Sequence, residues 1–356
     1  MVHKVNITSE DIAFYPPPGM DIPSSFKFSG SGNYIAYIKS PKIGDPKCLF
    51  IFDLNAGNEI LLSDGSDLNV SDNSIEEELR RQRLRQMSNG ITRYEWIAGD
   101  KIFLPTPTSI YIYDSIRSKP RCLIDNSEYQ LLDPKVSPDG KSISFISNGE
   151  IFIMDISNPI PNQITFDSIP GVTNGLADYI AQEEMNRISG YFWSPDSSCI
   201  AFTQVDTRHI PEYGIQHLGS SKPEGLNIEV HKYPFAGKDN PRVKLAVVNL
   251  EGIVNWLDIS KYEYLARFSW LSDNTLVSQC QNREQTNLDL IYFSKDFSTY
   301  SVILTEYSNS WINIKDIFKP LPNGNFVWGS ERSGFNHLYM YSLYDNSNYQ
   351  ITKGNW

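Results

Sequence analysis

The sequence predicts an all-β protein, a β-propeller built from four-stranded blades. A hairpin pattern recurs six times, and an apolar strand that ends in a polar residue follows each copy. Aromatic residues, which favour strands, are abundant, with 20 Tyr, 18 Phe and 7 Trp. Six copies of one pattern favour a propeller over a two-layer β-sandwich, the alternative architecture.

Each copy of the hairpin has a short strand, a tight polar turn and a second strand. In the clearest turn, Ser137-Pro138-Asp139-Gly140, proline fixes φ and glycine relieves the exit, as a type I turn requires. The six copies occupy 26–38, 94–105, 134–146, 191–203, 268–279 and 318–330.

The apolar strands that follow are LFIFDL, IYIYDS, IFIMDI, LAVVNL, LIYFSK and LYMYSL. Their starting points are spaced by 61, 41, 94, 45 and 48 residues. The short spacings match a four-stranded blade of roughly 40–50 residues. The long spacings predict insertions into a regular frame.

The first insertion, SIEEELRRQRLRQM at 74–87, is predicted to be a short helix. Ser74 and Glu77 fit a capping box, and acidic residues come first and arginines last, which suits the helix dipole. The apolar stripe is thin. A solvated helix balanced by ion pairs and an arginine-presenting arm over a cavity both remain open.

The second insertion, LADYIAQEEMNRI at 176–188, contains good helix formers and no Pro or Gly. We expect Tyr179, Ile180, Glu183, Glu184 and Arg187 at neighbouring helical positions, with the two carboxylates about 100° apart. Adjacent carboxylates can hold an ammonium group, which has three N–H donors. Because surface Glu-Glu pairs are common, the spacing alone favours an ordinary solvated pair.

The stretch from roughly 204 to 244 contains HIPEYGIQHLG and KYPFAGKDNPR. These segments carry too much Pro and Gly for a buried core. They are predicted to form exposed loops or an extended arm.

Composition and charge limit the partners. The chain of 356 residues has a formal net charge of −11, which argues against nucleic acid and anionic membranes and permits a cationic ligand. No apolar segment is long enough for a signal peptide or a membrane span. Four widely separated cysteines predict buried free thiols rather than a zinc site, and a reducing cytoplasm.

Motifs of common catalytic sites do not appear in the sequence. There is no Gly-x-Ser-x-Gly elbow, phosphate loop or His-Glu-x-x-His. His209 and His217 fall in the predicted loops and are expected to be surface residues. We therefore expect neither a metal nor a cofactor. The sequence also gives little support to an independent enzyme with a new site in the central channel of the propeller.

Several separated segments, in one order, resemble the dipeptidyl peptidase IV family, especially bacterial members and the cytosolic dipeptidyl peptidases 8 and 9. The resemblance covers nearly all of the chain. It is carried by QEEMNRISGYFWSPD, EEELRRQRLRQMSNGITRYEW, FTQVDTRHIPEY, HKYPFAGKDNPRVKLAV, WINIKDIF and SERSGFNHLYMYSL.

The resemblance implies an eight-bladed propeller preceding an α/β-hydrolase domain, in an enzyme that removes X-Pro or X-Ala dipeptides from N-termini. The family's Glu pair binds the free amine of the substrate, a role that falls here on Glu183 and Glu184. An arginine of the first insertion contacts a substrate carbonyl in the subgroup. Arg81, Arg83 and Arg85 stand at the matching positions, and the choice among them stays open.

The chain also departs from that family. Six units are visible, so residues 1–356 are predicted to be one incomplete propeller domain without the hydrolase domain and its Ser-Asp-His triad. The family's Asp-Glu after the second strand is Asp206-Thr207 here. One reading is a substrate-recognition propeller, inactive alone, that binds peptide N-termini beside a separate hydrolase half or in a homo-oligomer. The other is a non-enzymatic interaction propeller or decayed fragment.

Overall fold

The computed structural model describes residues 7–13, 22–42, 44–66, 68, 77, 80–81, 83–84, 90–125, 128–216, 228–314, 316–343 and 347–356. The chain divides into two compact units. One comprises residues 1–147 and 154–160, and the other comprises 148–153 and 161–356.

The first unit begins with helix α1 (Ser9–Ala13) and contains two complete antiparallel sheets, each with its strands in sequential order. The first sheet consists of β1 (Ser24–Phe28), β2 (Tyr34–Lys39), β3 (Cys48–Asp53) and β4 (Asn58–Ser63). The second consists of β5 (Glu95–Ile97), β6 (Lys101–Pro105), β7 (Ser109–Tyr113) and β8 (Arg121–Asp125).

The boundary between the units falls inside the third sheet, which also has sequential strand order. Its strands are β9 (Leu132–Val136), β10 (Ser142–Ser147), β11 (Glu150–Asp155) and β12 (Asn162–Gln163). The predicted turn at 137–140 joins β9 to β10. Gly140 N–H donates to the Ser137 carbonyl at 2.8 Å, and Gly140 has a φ of 72°.

The second unit contains three more sheets and helix α2 (Tyr179–Glu183). The fourth sheet consists of β13 (Val172–Asn174), β14 (Tyr191–Trp193), β15 (Cys199–Asp206), β18 (Arg242–Asn249) and β19 (Val254–Leu257). The fifth consists of β20 (Tyr264–Trp270), β21 (Leu276–Gln281), β22 (Asn287–Phe293) and β23 (Tyr300–Tyr307). The sixth consists of β24 (Phe318–Pro320), β25 (Asn325–Ser330), β26 (His337–Ser342) and β27 (Asn348–Gln350).

The hydrophobic core lies between the faces of successive sheets within each unit. One cluster joins the first two sheets through Ile51 and Ile102, and further clusters join the fourth, fifth and sixth sheets. Since each of the six predicted hairpin-plus-strand units forms one sheet in the described residues, the repeat pattern located all six of the larger sheets correctly.

The stretch between 204 and 244 was predicted to form exposed loops or an extended arm, and its described part, which omits 217–227, contains an arm. It is an antiparallel pair formed by β16 (Glu212–Gln216) and β17 (Ile228–Lys232), separate from the larger sheets. Ile215 and Val230 on this pair are exposed. The arm therefore buries little of its apolar surface.

The short helical insertion predicted near 176–188 is confirmed as α2, which has five residues and does not extend to Arg187. Asn186 adopts a left-handed conformation with φ of 52°, which ends the turn. Arg187 is therefore outside the helix and not a neighbour on its surface. Of the helix predicted at 74–87, positions 77, 80, 81 and 83 are helical, and the remainder, including Ser74 of the capping box, lies almost entirely outside the described residues.

The prediction of four buried thiols is only partly right. Cys48 and Cys280 are buried, Cys199 is intermediate and Cys122 is exposed. Among the described residues, no helix combines the length and apolar composition that a bilayer crossing requires. Within those same ranges, no group of three or more His, Cys, Asp or Glu side chains is arranged to hold a metal ion.

Candidate functional site

The acidic pair lies in a loop whose two ends are held together at a narrow neck. Leu176 and Ser189 form an isolated antiparallel bridge. Thr203 Oγ1 on β15 is 3.0 Å from the Leu176 carbonyl oxygen and 3.2 Å from that of Gly190. A Cβ on Gly190 would lie 2.3 Å from the Leu176 carbonyl carbon, so only glycine permits this approach.

Inside the loop, Asp178 begins α2. Its backbone is extended, and its side chain accepts a hydrogen bond from the Ala181 N–H at 3.3 Å, as an N-cap does. Its other carboxylate oxygen faces the Arg187 guanidinium, with Nη2 at 3.7 Å. Both side chains are buried, with relative exposures of 6% and 3%.

The C-terminal end of α2 is also fixed from within the loop. The N–H groups of Glu184 and Met185 both donate to the Ile180 carbonyl, at 2.9 and 3.1 Å, and the N–H of Arg187 donates to Ala181 at 2.7 Å. Met185 is buried. Glu183 and Glu184 are exposed, one as the last helical residue and the other as the cap.

The structure therefore places both predicted carboxylates, exposed, at the end of α2 within a loop that is closed at its neck. A pocket of about 430 Å³ opens beside Glu184. Its walls include the exposed Trp311 and an ion pair between Arg267 and Asp316, whose atoms Nη2 and Oδ1 are 2.8 Å apart.

Aromatic rings pack together at the start of α2. Tyr179 packs edge-on against Tyr233 with ring centroids 5.2 Å apart, and Phe235 packs against Tyr233 at 4.9 Å. Burial and the neighbouring Tyr233 raise the pKa of Tyr179, and the charges of Glu183 and Glu184 add to the shift. The Tyr179 phenol is therefore neutral at neutral pH and lies close enough to both carboxylates to sense their charge.

The predicted arginines lie in the first unit, where Arg81 and Arg83 are half-buried. Arg85 lies outside the described residues. The arginine with the better defined contacts is Arg80, which forms a fork to Glu77 with Nε–Oε2 at 2.7 Å and Nη2–Oε1 at 3.1 Å. Sequence reasoning did not single out this pair.

Sequence reasoning also missed the residues that hold the acidic loop. Asp178 carried a usable signal, because Asp directly before a run of helix formers is a typical N-cap. Gly190 and Thr203 sit in a strand pattern that shows no sign of the close approach. Arg187 follows an acidic segment and was expected on the helix surface, so no local pattern indicated its burial.

Comparison with known proteins gives a consistent result. A family model described as the dipeptidyl peptidase IV (DPP IV) N-terminal region matches residues 103–356. Dipeptidyl peptidase 8 of Homo sapiens is 26% identical over 348 residues, which span 79% of this chain and 39% of that protein. A putative dipeptidyl aminopeptidase of Schizosaccharomyces pombe is 27% identical over 256 residues, 65% of this chain and 32% of that protein. The chain thus spans about a third of the length of these curated relatives.

Among solved structures, the crystal structure of Porphyromonas gingivalis dipeptidyl peptidase 4 matches with a TM-score of 0.70 at 23% identity. The match covers 93% of this chain and 47% of that one. Together with the sequentially ordered four-stranded sheets, this likeness confirms the predicted all-β propeller fold.

Proposed function

The chain belongs to the family of dipeptidyl peptidase IV N-terminal regions, and we propose that it is the substrate-recognition propeller of a dipeptidyl peptidase IV-like serine exopeptidase. In this proposal Glu183 and Glu184 bind the free α-amine of a peptide. The protein that contains this region releases N-terminal X-Pro or X-Ala dipeptides, and the propeller gates access to the catalytic site.

The observation that carries the proposal is the exposure of both carboxylates at the end of α2, within a loop that is closed at its neck. An ammonium group has three N–H donors, and two adjacent carboxylates can accept from it at once through charge-assisted bonds. A peptide whose amine is acetylated has neither the charge nor the extra donors. The site thus accounts for selection of a free N-terminus, which distinguishes an exopeptidase from an endopeptidase.

The remaining parts of the proposal follow from the family. One of Arg81, Arg83 and Arg85 contacts a backbone carbonyl of the bound peptide. Catalysis comes from a hydrolase portion, with which the propeller acts either as a separate half or within a homo-oligomer. The net charge of −11 supports peptide N-termini rather than nucleic acid or membranes as partners. Free thiols support a cytoplasmic location.

A non-enzymatic interaction propeller, or a decayed fragment of such a peptidase, is the second candidate. It is favoured by Asp206-Thr207, where the family has Asp-Glu. In the structure the Asp206 carboxylate is engaged by Arg208, with Nη2–Oδ2 at 2.7 Å, and this contact lowers the pKa of Asp206. That carboxylate is therefore directed to a local ion pair.

The test is reconstitution. The chain is mixed with the cognate hydrolase portion, and release of Gly-Pro from a chromogenic substrate is measured. We expect no release by the chain alone, release by the mixture, and loss of release for Glu183→Ala with Glu184→Ala. The control is Glu251→Ala, an exposed glutamate in a turn of the fourth sheet. Restored activity that survives the double substitution contradicts the assigned role, and a mixture that never becomes active favours the interaction propeller.

A further inference from the structure

We propose that Arg187 and Asp178 form a buried positioning pair that holds Glu183 and Glu184 in the geometry that receives an amine. This inference rests on the proposed function and assigns a role to two residues that do not themselves contact the ligand. It follows from the contacts of Arg187, which is one of the most deeply buried charged side chains in the second unit.

The guanidinium of Arg187 is enclosed with few partners. Nη1 donates to the Ser189 carbonyl at 3.1 Å, and Nη2 donates to that of Leu265 at 3.4 Å. The face of the Phe268 ring lies 5.5 Å from Cζ. Nε, although buried, has no hydrogen-bond partner in the described part of the chain.

The charge on this side chain is retained despite its burial. Burial lowers the pKa of Arg187 to about 10, and the Asp178 carboxylate acts in the opposite direction. The guanidinium is therefore protonated at neutral pH. A buried cation with one carboxylate at 3.7 Å and two carbonyl contacts is costly to maintain, so packing alone does not explain why arginine stands there.

The position of Arg187 in the loop explains the presence of an arginine better than packing does. Asp178 caps the N-terminal end of α2 through the Ala181 N–H, and the backbone of Arg187 returns to the Ala181 carbonyl. The ion pair between the two side chains therefore connects the N-cap of α2 with a residue that lies beyond its C-cap, Glu184. A five-residue helix has little stability of its own, because helix nucleation is unfavourable.

The consequence for Glu183 and Glu184 is direct, since both lie between the two ends that the pair connects. If Arg187 loses its charge, Asp178 remains as a buried carboxylate without a counter-charge. It can regain water only by leaving the cap position. The turn then opens, and the two glutamates separate without any change to their own side chains.

The first measurement is amide hydrogen exchange in the 356-residue chain without ligand. In Arg187→Met we expect the amides of Ala181, Glu184 and Met185 to exchange about tenfold faster, while amides of β15 keep their protection. If Arg187→Met does not fold, Asp178→Asn replaces it, because asparagine keeps an N-cap acceptor and loses only the charge that pairs with Arg187. Exchange at these amides that equals the wild type overturns the positioning role.

The second measurement is the ratio of affinities for a free-amine peptide, Gly-Pro-Gly-Gly, and its N-acetylated form. Arg187→Met is expected to lower the ratio about tenfold and Arg187→Lys to restore part of it. Adding Asp178→Asn to Arg187→Met is expected to cause no further loss, because the two residues act as one unit. A purely structural role predicts faster exchange throughout the second unit with an unchanged ratio, and that result overturns the proposal.

The matched control is Arg208→Met. It removes an arginine that pairs with Asp206 and whose side chain is exposed. It is expected to leave both the exchange rates and the ratio at wild-type values. The outcomes separate the two proposals. A wild-type chain that binds free and acetylated peptide equally contradicts the amine-binding function, whereas the exchange data judge the positioning pair without any ligand.

Discussion

Gly190 is the residue on which the shape of the acidic loop depends most directly. A Cβ at this position would meet the Gly175 carbonyl oxygen at 2.5 Å as well as the backbone of Leu176. We expect Gly190→Ala to lower the free energy of unfolding by about 1–3 kcal/mol, the usual range for overpacking, because backbone atoms have little room to move. Urea unfolding followed by tryptophan fluorescence measures the change.

Gly30→Ala is the matched control for that substitution. Its Cβ would meet only the Asp100 carboxylate, at 3.9 Å, which is ordinary contact. We expect a change within about 0.5 kcal/mol of the wild type. Equal stability of the two variants would show that the neck of the acidic loop is not closed as described.

The cysteines provide an independent check on burial. Cys280 is fully buried, and burial together with Asp289 raises the pKa of its thiol. Cys122 is exposed, and although burial of its sulfur and the charge of Asp125 raise its pKa, a thiol reagent can reach it. We expect Cys122 to be labelled first in the native protein and Cys280 only after unfolding, as peptide mass mapping would show.

At this scale the sequence located the candidate site residues better than the residues that support them. Glu183 and Glu184 could be found because they form part of a motif that resembles a family segment. Arg187 could not, because its burial depends on Leu265 and Phe268, which are distant in sequence and reach it only in the folded unit. The spacing of residues along the sequence does not reveal contacts of this kind.

Among the elements, the first insertion is held to its unit by buried charges. The Asp133 carboxylate receives Lys135 Nζ at 2.7 Å and Arg93 Nη1 at 3.4 Å. Burial alone would raise the pKa of Asp133, but Lys135, Arg93 and Arg80 outweigh it and hold the pKa below its usual value. Arg80 belongs to the insertion, so Asp133 connects that helix electrostatically to β9.

We therefore expect Asp133→Asn to destabilise the chain by about 3–5 kcal/mol, the usual cost of removing one partner from a buried charge pair. Asn tolerates the positive φ of 45° at this position, so the substitution tests the charge and not the backbone. Chemical denaturation at pH 7 gives the value. Asp114→Asn, in an exposed pair with Lys101, should change stability by no more than about 1 kcal/mol.

The same carboxylate predicts a dependence on pH. Because its pKa is lower in the folded state, its stabilisation is present above about pH 4 and is lost as the pH falls through the folded value. Between pH 6 and pH 3 the wild type should lose more stability than Asp133→Asn. Parallel curves for the two proteins would contradict the depressed pKa.

Elements with strong local signals were predicted accurately, and elements fixed by tertiary contacts were not. The turn at 137–140 follows from proline and glycine at defined positions. The helix predicted at 176–188 has suitable residues throughout, yet it ends after Glu183 because Met185 and Arg187 are drawn into the core. Burial of these two side chains outweighs a helix propensity of a few tenths of a kcal/mol per residue.

For the whole molecule, the repeat was the decisive signal. Each copy of the hairpin and its apolar strand became one antiparallel sheet, and the long spacings correspond to the two insertions and the arm formed by β16 and β17. The repeat pattern did not predict the structure of the insertions. The candidate site lies in one of them, which explains why the fold was predicted more completely than the site.

The chain as a whole carries a net charge of −11, so attraction of a cationic peptide to any acidic surface must be separated from specific recognition. Salt distinguishes the two, because screening weakens long-range attraction more than a close contact. Binding of a free-amine peptide at about 0.5 M salt is therefore the stricter condition.

The most direct test of the central claim is the affinity of the chain for Gly-Pro-Gly-Gly and its N-acetylated form, measured by titration calorimetry in that salt. We expect the wild type to prefer the free amine by about tenfold or more, and Glu183→Gln with Glu184→Gln to remove the preference while leaving the fold intact, since glutamine keeps the shape and loses the charge. A preference that persists in the double variant would contradict the assignment of Glu183 and Glu184 as the amine site.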